Sequence, residues 1–218
     1  MRTKLIFLTI LLALACTGGA QAQPTQGFYG GFALGKARAD FERSDFTFGD
    51  PRVSETVDDT NTAHKFFAGY QFGKYLAAEL SYTDFGSFKY NYELPRPLGK
   101  EFVDYRASSW AISGVGTLPL SGRFSLLARL GLTSNLAERS VLHGDPSAVA
   151  ATFPFAQEKK RRSDVLWGVG GQFDLTPAVG FRLEYEGYGR FGKADNFNDF
   201  GTGRAKLHMW SLGILARF

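Results

Sequence analysis

One cysteine in 218 residues, Cys16, leaves little room for thiol chemistry. It lies inside residues 1–22, which read as a cleaved secretory signal. Arg2 and Lys4 open that signal, and Ala20-Gln21-Ala22 supplies a small-x-small cleavage pattern. A cut before Gln23 leaves a chain with no disulfide, no cysteine nucleophile and no cysteine metal site. A lipid anchor on Cys16 would want a large aliphatic residue three positions earlier, where Ala13 stands. Long apolar runs are missing too. The longest, Leu5 to Ala15, is broken by Thr9 and is too short to cross a bilayer as a helix, which takes about 20 residues. A helical membrane protein is excluded on that ground. Charge of one sign is also lacking. Without Arg2 and Lys4 the chain has 23 basic and 21 acidic residues, a net +2, too little to argue for nucleic acid. HExxH, CxxC, P-loop and dinucleotide-binding patterns are absent, so no metal or cofactor is implied. No linker divides the mature segment 23–218, which suits a single domain.

Glycine (26) and phenylalanine (21) are plentiful, and the apolar residues recur every second position. Segments of that period fall near 27–39, 63–73, 75–85, 104–118, 123–137, 164–175, 178–189 and 204–218. There are eight, the even number expected of a bacterial single-chain barrel. Their connections alternate in length. Gly73 to Tyr75, Pro119 to Arg123 and Leu175 to Ala178 are short, whereas 40–62, 86–103, 138–163 and 190–203 are long. Short turns on one side and long loops on the other, the outside of the cell, are the layout of a transmembrane β-barrel.

One phase of each segment is uncharged: Phe28 to Leu34, Phe66 to Phe72, Leu76 to Tyr82, Trp110 to Leu118, Phe124 to Leu132, Val165 to Leu175, Val179 to Tyr185 and Trp210 to Phe218. A Lys or Arg on that face at mid-membrane would cost roughly 2–4 kcal/mol. The other phase holds Glu79, Arg129, Arg182, Glu184 and Glu186 among Ser, Thr and Gln. A soluble barrel would reverse the two faces. The fold class is therefore all-β: an eight-stranded antiparallel transmembrane barrel with a polar interior, closed because no unpaired edge survives in hydrocarbon. Phe28, Phe72, Tyr82, Phe124, Phe173, Tyr185 and Phe218 suit its two interfacial girdles.

The stretch FFAGYQFGKYLAAELSYTDFG (66–86) resembles the second hairpin of the outer-membrane protein A transmembrane domain. So does GVGGQFDLTPAVGFRLEY (168–185), and Leu127 to Gly131 and Phe28 to Gly31 fit in order and spacing. The resemblance spans the mature chain except the long loops. It implies that the final strand, ending on Phe218, is the segment read by the barrel-insertion machinery. It also implies an interior ion pair at Glu79 and Arg182. A second Lys–Glu pair would fall at Val115 and Gln172, so that pair is absent. Larger members add a peptidoglycan-binding domain. This chain stops at the eighth strand, so no such tether is expected.

Two readings of the interior charges stand side by side: a salt-bridge network that satisfies buried charge, and a narrow ion path gated by it. Lys159, Lys160, Arg161 and Arg162 form the densest charge run. At the end of the third long loop they read either as a solvated stem or as a contact for lipopolysaccharide phosphates. Some small barrels are lipid A hydrolases, which need His and Ser together at the outer rim. His64 (at the outer end of a strand) and His143 (in a loop) lack such a neighbour, and Ser211 has the opposite phase to His208. The reading is non-enzymatic: a bacterial outer-membrane barrel that supports the envelope and offers its loops to an extracellular ligand. Outer-membrane lipid and lipopolysaccharide are its other partners. A low-conductance pore is the alternative, and a lipid A-modifying enzyme comes third.

Overall fold

A computed structural model describes residues 26–41, 54–57, 60–93, 100–143, 158–191 and 205–218. The signal segment 1–22 lies outside the described residues. The strands are β1 (Gly27–Phe41), β2 (Ser54–Val57), β3 (Thr60–Gln71), β4 (Leu76–Glu93), β5 (Lys100–Pro119), β6 (Phe124–His143), β7 (Glu158–Asp174), β8 (Val179–Phe191) and β9 (Ala205–Arg217). All pairings are antiparallel. The order β4-β3-β1-β9-β8-β7-β6-β5 closes through β4 on β5, which makes an eight-stranded barrel. Among the described residues, the ninth strand, β2, pairs with Tyr90–Glu93 alone, at the far end of β4.

Alternation decides which face meets lipid, because successive side chains in a strand point to opposite faces. Phe28, Phe66, Ile112, Leu130, Val169, Leu183 and Leu212 are all large, apolar and exposed. Their neighbours Tyr29, Phe67, Ala111, Arg129, Arg182 and Ser211 are buried. Aromatic pairs rim the outward band on the loop side: Tyr82 with Trp110 at 5.0 Å, Tyr185 with Trp210 at 4.8 Å and Phe32 with Phe66 at 4.9 Å. On the turn side Phe28 meets Tyr70 at 4.8 Å. The closing ends meet there as well, where the Phe218 N–H donates to the Phe28 carbonyl at 2.9 Å.

Three sequence expectations need correction. The segment 86–103 is mostly strand rather than loop, since β4 and β5 stay paired from Leu76 opposite Gly116 to Glu93 opposite Lys100. Likewise β6 runs to His143, so that histidine ends a strand. The run Lys159 to Arg162 lies within β7, paired with β6. Above the girdle, Asp84 to Glu93 alone extends roughly 30 Å along the strand, at about 3.3 Å per residue. The outward phase turns polar here, with Asp84, Ser87, Arg106 and Glu138, so the apolar lipid-facing stripe that marks the wall stops at the girdle.

The phase also slips twice. Register shifts between Asp84 and Gly86 in β4, and between Gly187 and Arg190 in β8. Each bulge inserts one residue and carries a glycine at φ +72°, Gly86 and Gly189. The slips turn Phe88 and Phe191 into the lumen, beside Phe85 and Tyr188, which already hold the inward phase. A Cβ on Gly189 would meet Asp164 Cγ at 2.5 Å, and the Asp164 carboxylate accepts the Arg190 N–H at 2.9 Å. Gly189→Ala is therefore expected to lower stability by about 1–3 kcal/mol in urea unfolding. Gly73→Ala, with open space at its Cβ, should leave the midpoint unchanged.

Candidate functional site

The barrel interior has three levels. At mid-height the inward phase of β3, β4, β6 and β8 supplies Lys65, Glu79, Arg129, Arg182, Glu184 and Glu186. All six are buried. Arg182 Nη1 donates to Glu79 Oε2 at 2.8 Å, and Tyr29 Oη donates to the same oxygen at 3.0 Å. Arg129 Nη2 donates to Glu184 Oε1 at 2.8 Å. Its Nη1 lies 2.7 Å from Glu79 Oε1 as an ion contact off the hydrogen-bond axis, and 3.2 Å from Glu186 Oε1. Lys65 Nζ donates to both Glu186 oxygens at 2.8 and 2.9 Å and to Glu184 at 3.4 Å. Three carboxylates thus meet three cations. The Arg182 guanidinium also sits 5.0 Å from the Phe67 ring centroid.

Lys65 was missed in the sequence reading. The same alternation could have found it, because Phe66 faces lipid and Lys65 must then face the lumen. Val115 and Gln172 hold no Lys–Glu pair. Gln172 Oε1 instead accepts from Arg182 at 3.2 and 3.3 Å, and Lys65 brings the lysine in from β3.

Above the network lies an apolar level of Phe85, Phe88, Leu166, Tyr188, Phe191, Leu207 and Met209, backed by alanines and all essentially inaccessible. Phe85 stands edge-on to Tyr188 at 4.8 Å and to Phe191 at 5.5 Å. Tyr188 joins the two levels, with its hydroxyl donating to Glu186 at 3.2 Å and 3.0 Å from Thr83 Oγ1. Uniform alternation already sets Phe85, Leu166, Tyr188, Leu207 and Met209 inward, and the two bulges add Phe88 and Phe191. Below the network, Gln172 donates to Asp174 at 2.9 Å and Arg217 binds the same carboxylate oxygen at 2.7 Å. A vestibule of about 400 Å³ opens here between the turns, lined by Gln71, Lys74, Thr117, Ser125, Asp174 and Arg217.

The rim is divided by strand phase. Of the four-cation run, Lys159 and Arg161 share the outward phase of Val165 and Trp167, while Lys160 and Arg162 take the inward phase. Lys159 pairs with Glu138 at 2.8 Å. His208 faces outward, stacked on Tyr185 at 5.9 Å with Asp40 3.8 Å from Nε2. Ser211 faces the lumen from the same strand. Phe218 points outward on the turn side and is half exposed.

A family model, the OmpA-like transmembrane domain, matches residues 23–218. The chain belongs to this family. As an OmpA-like barrel it resides in the bacterial outer membrane. Outer membrane protein P5 of Haemophilus influenzae is 24% identical over 202 residues, covering 84% of this chain and 50% of P5. The chain therefore spans about half the length of that relative. Two solved barrels share the fold. Neisserial surface protein A aligns with a TM-score of 0.52 at 17% identity, over 92% of this chain and 100% of its own. OprG of Pseudomonas aeruginosa gives 0.52 at 15%, over 92% and 98%.

Removing one member of a buried charge cluster leaves its partners unpaired, at a cost of about 3–5 kcal/mol. Glu79→Ala, which strands two arginines, is expected to lower the unfolding free energy by that order, read as a lower midpoint in urea. Lys65→Met combined with Glu186→Gln keeps the cluster neutral. It should cost less than the sum of the two single changes in a double-mutant cycle.

Proposed function

We propose that this OmpA-like barrel is a structural and surface-interaction protein, not a conduit and not an enzyme. The observation that carries the reading is the filled lumen. Among the described residues, the neutral network at mid-height and the apolar level above it fill the lumen, with a vestibule on the turn side. An eight-stranded barrel is just wide enough for side chains to fill. The pore reading needs both levels to part.

The arms supply the surface half. Strands β4 to β7 run past the outer girdle, and β2 adds to the edge of β4. These arms are the surface offered to an extracellular ligand. Of the four-cation run, Lys159 and Arg161 are the pair that would meet lipopolysaccharide. Phe218, outward at the closing seam, is the proposed signal for the insertion machinery. The outward setting of His208 and the inward setting of Ser211 support the non-enzymatic reading.

The two halves separate in one experiment. Residues 90–103 are replaced by Asn-Gly, which joins the arm where Lys89 faces Asp104. In a strain lacking the protein, the shortened barrel should restore exclusion of a large hydrophilic dye. It should not restore attachment to surfaces coated with extracellular matrix. Full recovery of attachment would remove the role given to the arms, and failure to restore exclusion would remove the envelope role.

A further inference from the structure

We propose that the outward rim of β8, β9 and β1 binds the phosphate groups of the outer-leaflet glycolipid, lipopolysaccharide. The site deepens the envelope role above and lies apart from the run at Lys159 to Arg162. On β1 the outward phase is apolar to Leu34 and continues with Lys36, Arg38 and Asp40. On β9 it is apolar from Phe218 to Trp210 and continues with His208 and Lys206. On β8 the bulge at Tyr188–Gly189 brings Arg190 onto the same face, opposite Lys206.

The register assembles these residues. Lys36 faces Trp210, Arg38 faces His208 and Asp40 faces Lys206. Directly opposed residues have Cβ atoms about 4.5–5.5 Å apart, and diagonal neighbours about 7–8 Å. Arg190, Lys206, Arg38 and Lys36 therefore form one patch across three strands, about 10 Å wide at the usual strand spacing. All four are exposed. Asp40 is the one carboxylate on this outward face among the described residues, 3.4 Å from Arg38 Nε. On the far side of the barrel the same height is mixed, with Asp84, Arg106 and Glu138 on the outward phase.

Height selects the ligand. Tyr185, Trp210 and His208 stack immediately below the patch, and such belts lie at headgroup level. Lys and Arg stems cover apolar surface while their charged heads reach the polar layer. Arginine forks match phosphate oxygens in pairs, and lysine adds point charge. The bulge at Gly189 thus has a second consequence: without the added residue, Arg190 would turn inward.

The test uses purified, refolded barrel in detergent, with bisphosphorylated lipid A and fully dephosphorylated lipid A as probes. Combined Lys36→Gln, Arg190→Gln and Lys206→Gln should weaken binding of the bisphosphorylated form about tenfold or more, with the dephosphorylated form unaffected. Lys36→Gln and Arg190→Gln singly should each give a smaller loss of the same kind. Combined Lys74→Gln and Arg123→Gln, exposed at the turn end of the barrel, should bind like the parent. Heat-dependent gel mobility verifies folding of every variant. Unchanged binding by the triple variant would overturn the site. So would equal binding of the two lipids by the parent, or an equal loss from the turn-end pair Lys74 and Arg123. Each of these results is independent of dye exclusion and attachment, so the site and the envelope role fail separately.

Discussion

Glu79, Glu184 and Glu186 are buried in one cross-section of a narrow lumen, and their neutralisation by Lys65, Arg129 and Arg182 is the condition for the rest of the barrel. The charges are shared: Arg129 touches all three carboxylates, Lys65 spans two of them closely, and Arg182 adds a second arginine on Glu79. The six residues come from β3, β4, β6 and β8, so the cluster ties strands that are not neighbours in the wall. Backbone ladders close the cylinder, and this cluster fixes what fills it. A buried network of this kind stabilises only when its members are jointly satisfied. That accounts for the supporting hydroxyls of Tyr29 and Tyr188.

The network also separates two unlike halves of the interior. Towards the turns, Gln172, Asp174 and Arg217 continue as hydrogen-bonded polar groups to an open vestibule. Towards the loops the lumen becomes apolar, and two bulges add the rings of Phe88 and Phe191 to those of Phe85 and Tyr188. The same bulges shape the outside, because the one in β8 also sets Arg190 on the rim. Interior closure and rim chemistry therefore share a local backbone cause.

Alternation made the wall legible in the sequence. Phe66, Ala68 and Tyr70 against Gly69 and Gln71 fix a face with no structure in hand, and a charge in hydrocarbon is too costly to hide. The short turns at Lys74 and Pro177 were readable for the same reason. Strand ends above the membrane were not, because Asp84, Ser87, Arg106 and Glu138 replace the apolar outward face that marked the wall. The bulges were illegible as well. Gly86 and Gly189 look like any other glycine among 26, and only the register shows that each adds a residue. Lys65 was legible in principle, one position before an outward phenylalanine. The split of Lys159 to Arg162 between two faces needed the knowledge that they lie in a strand.

The central claim is that side chains seal this barrel. Planar-bilayer recordings of refolded protein, with insertion verified, test it most directly when the parent is set beside a variant combining Glu79→Ala, Phe85→Ala and Phe191→Ala. The account predicts a silent parent and steady conductance from the variant, which lacks members of both sealing levels. Discrete openings in the parent would contradict it and make the interior a path for ions.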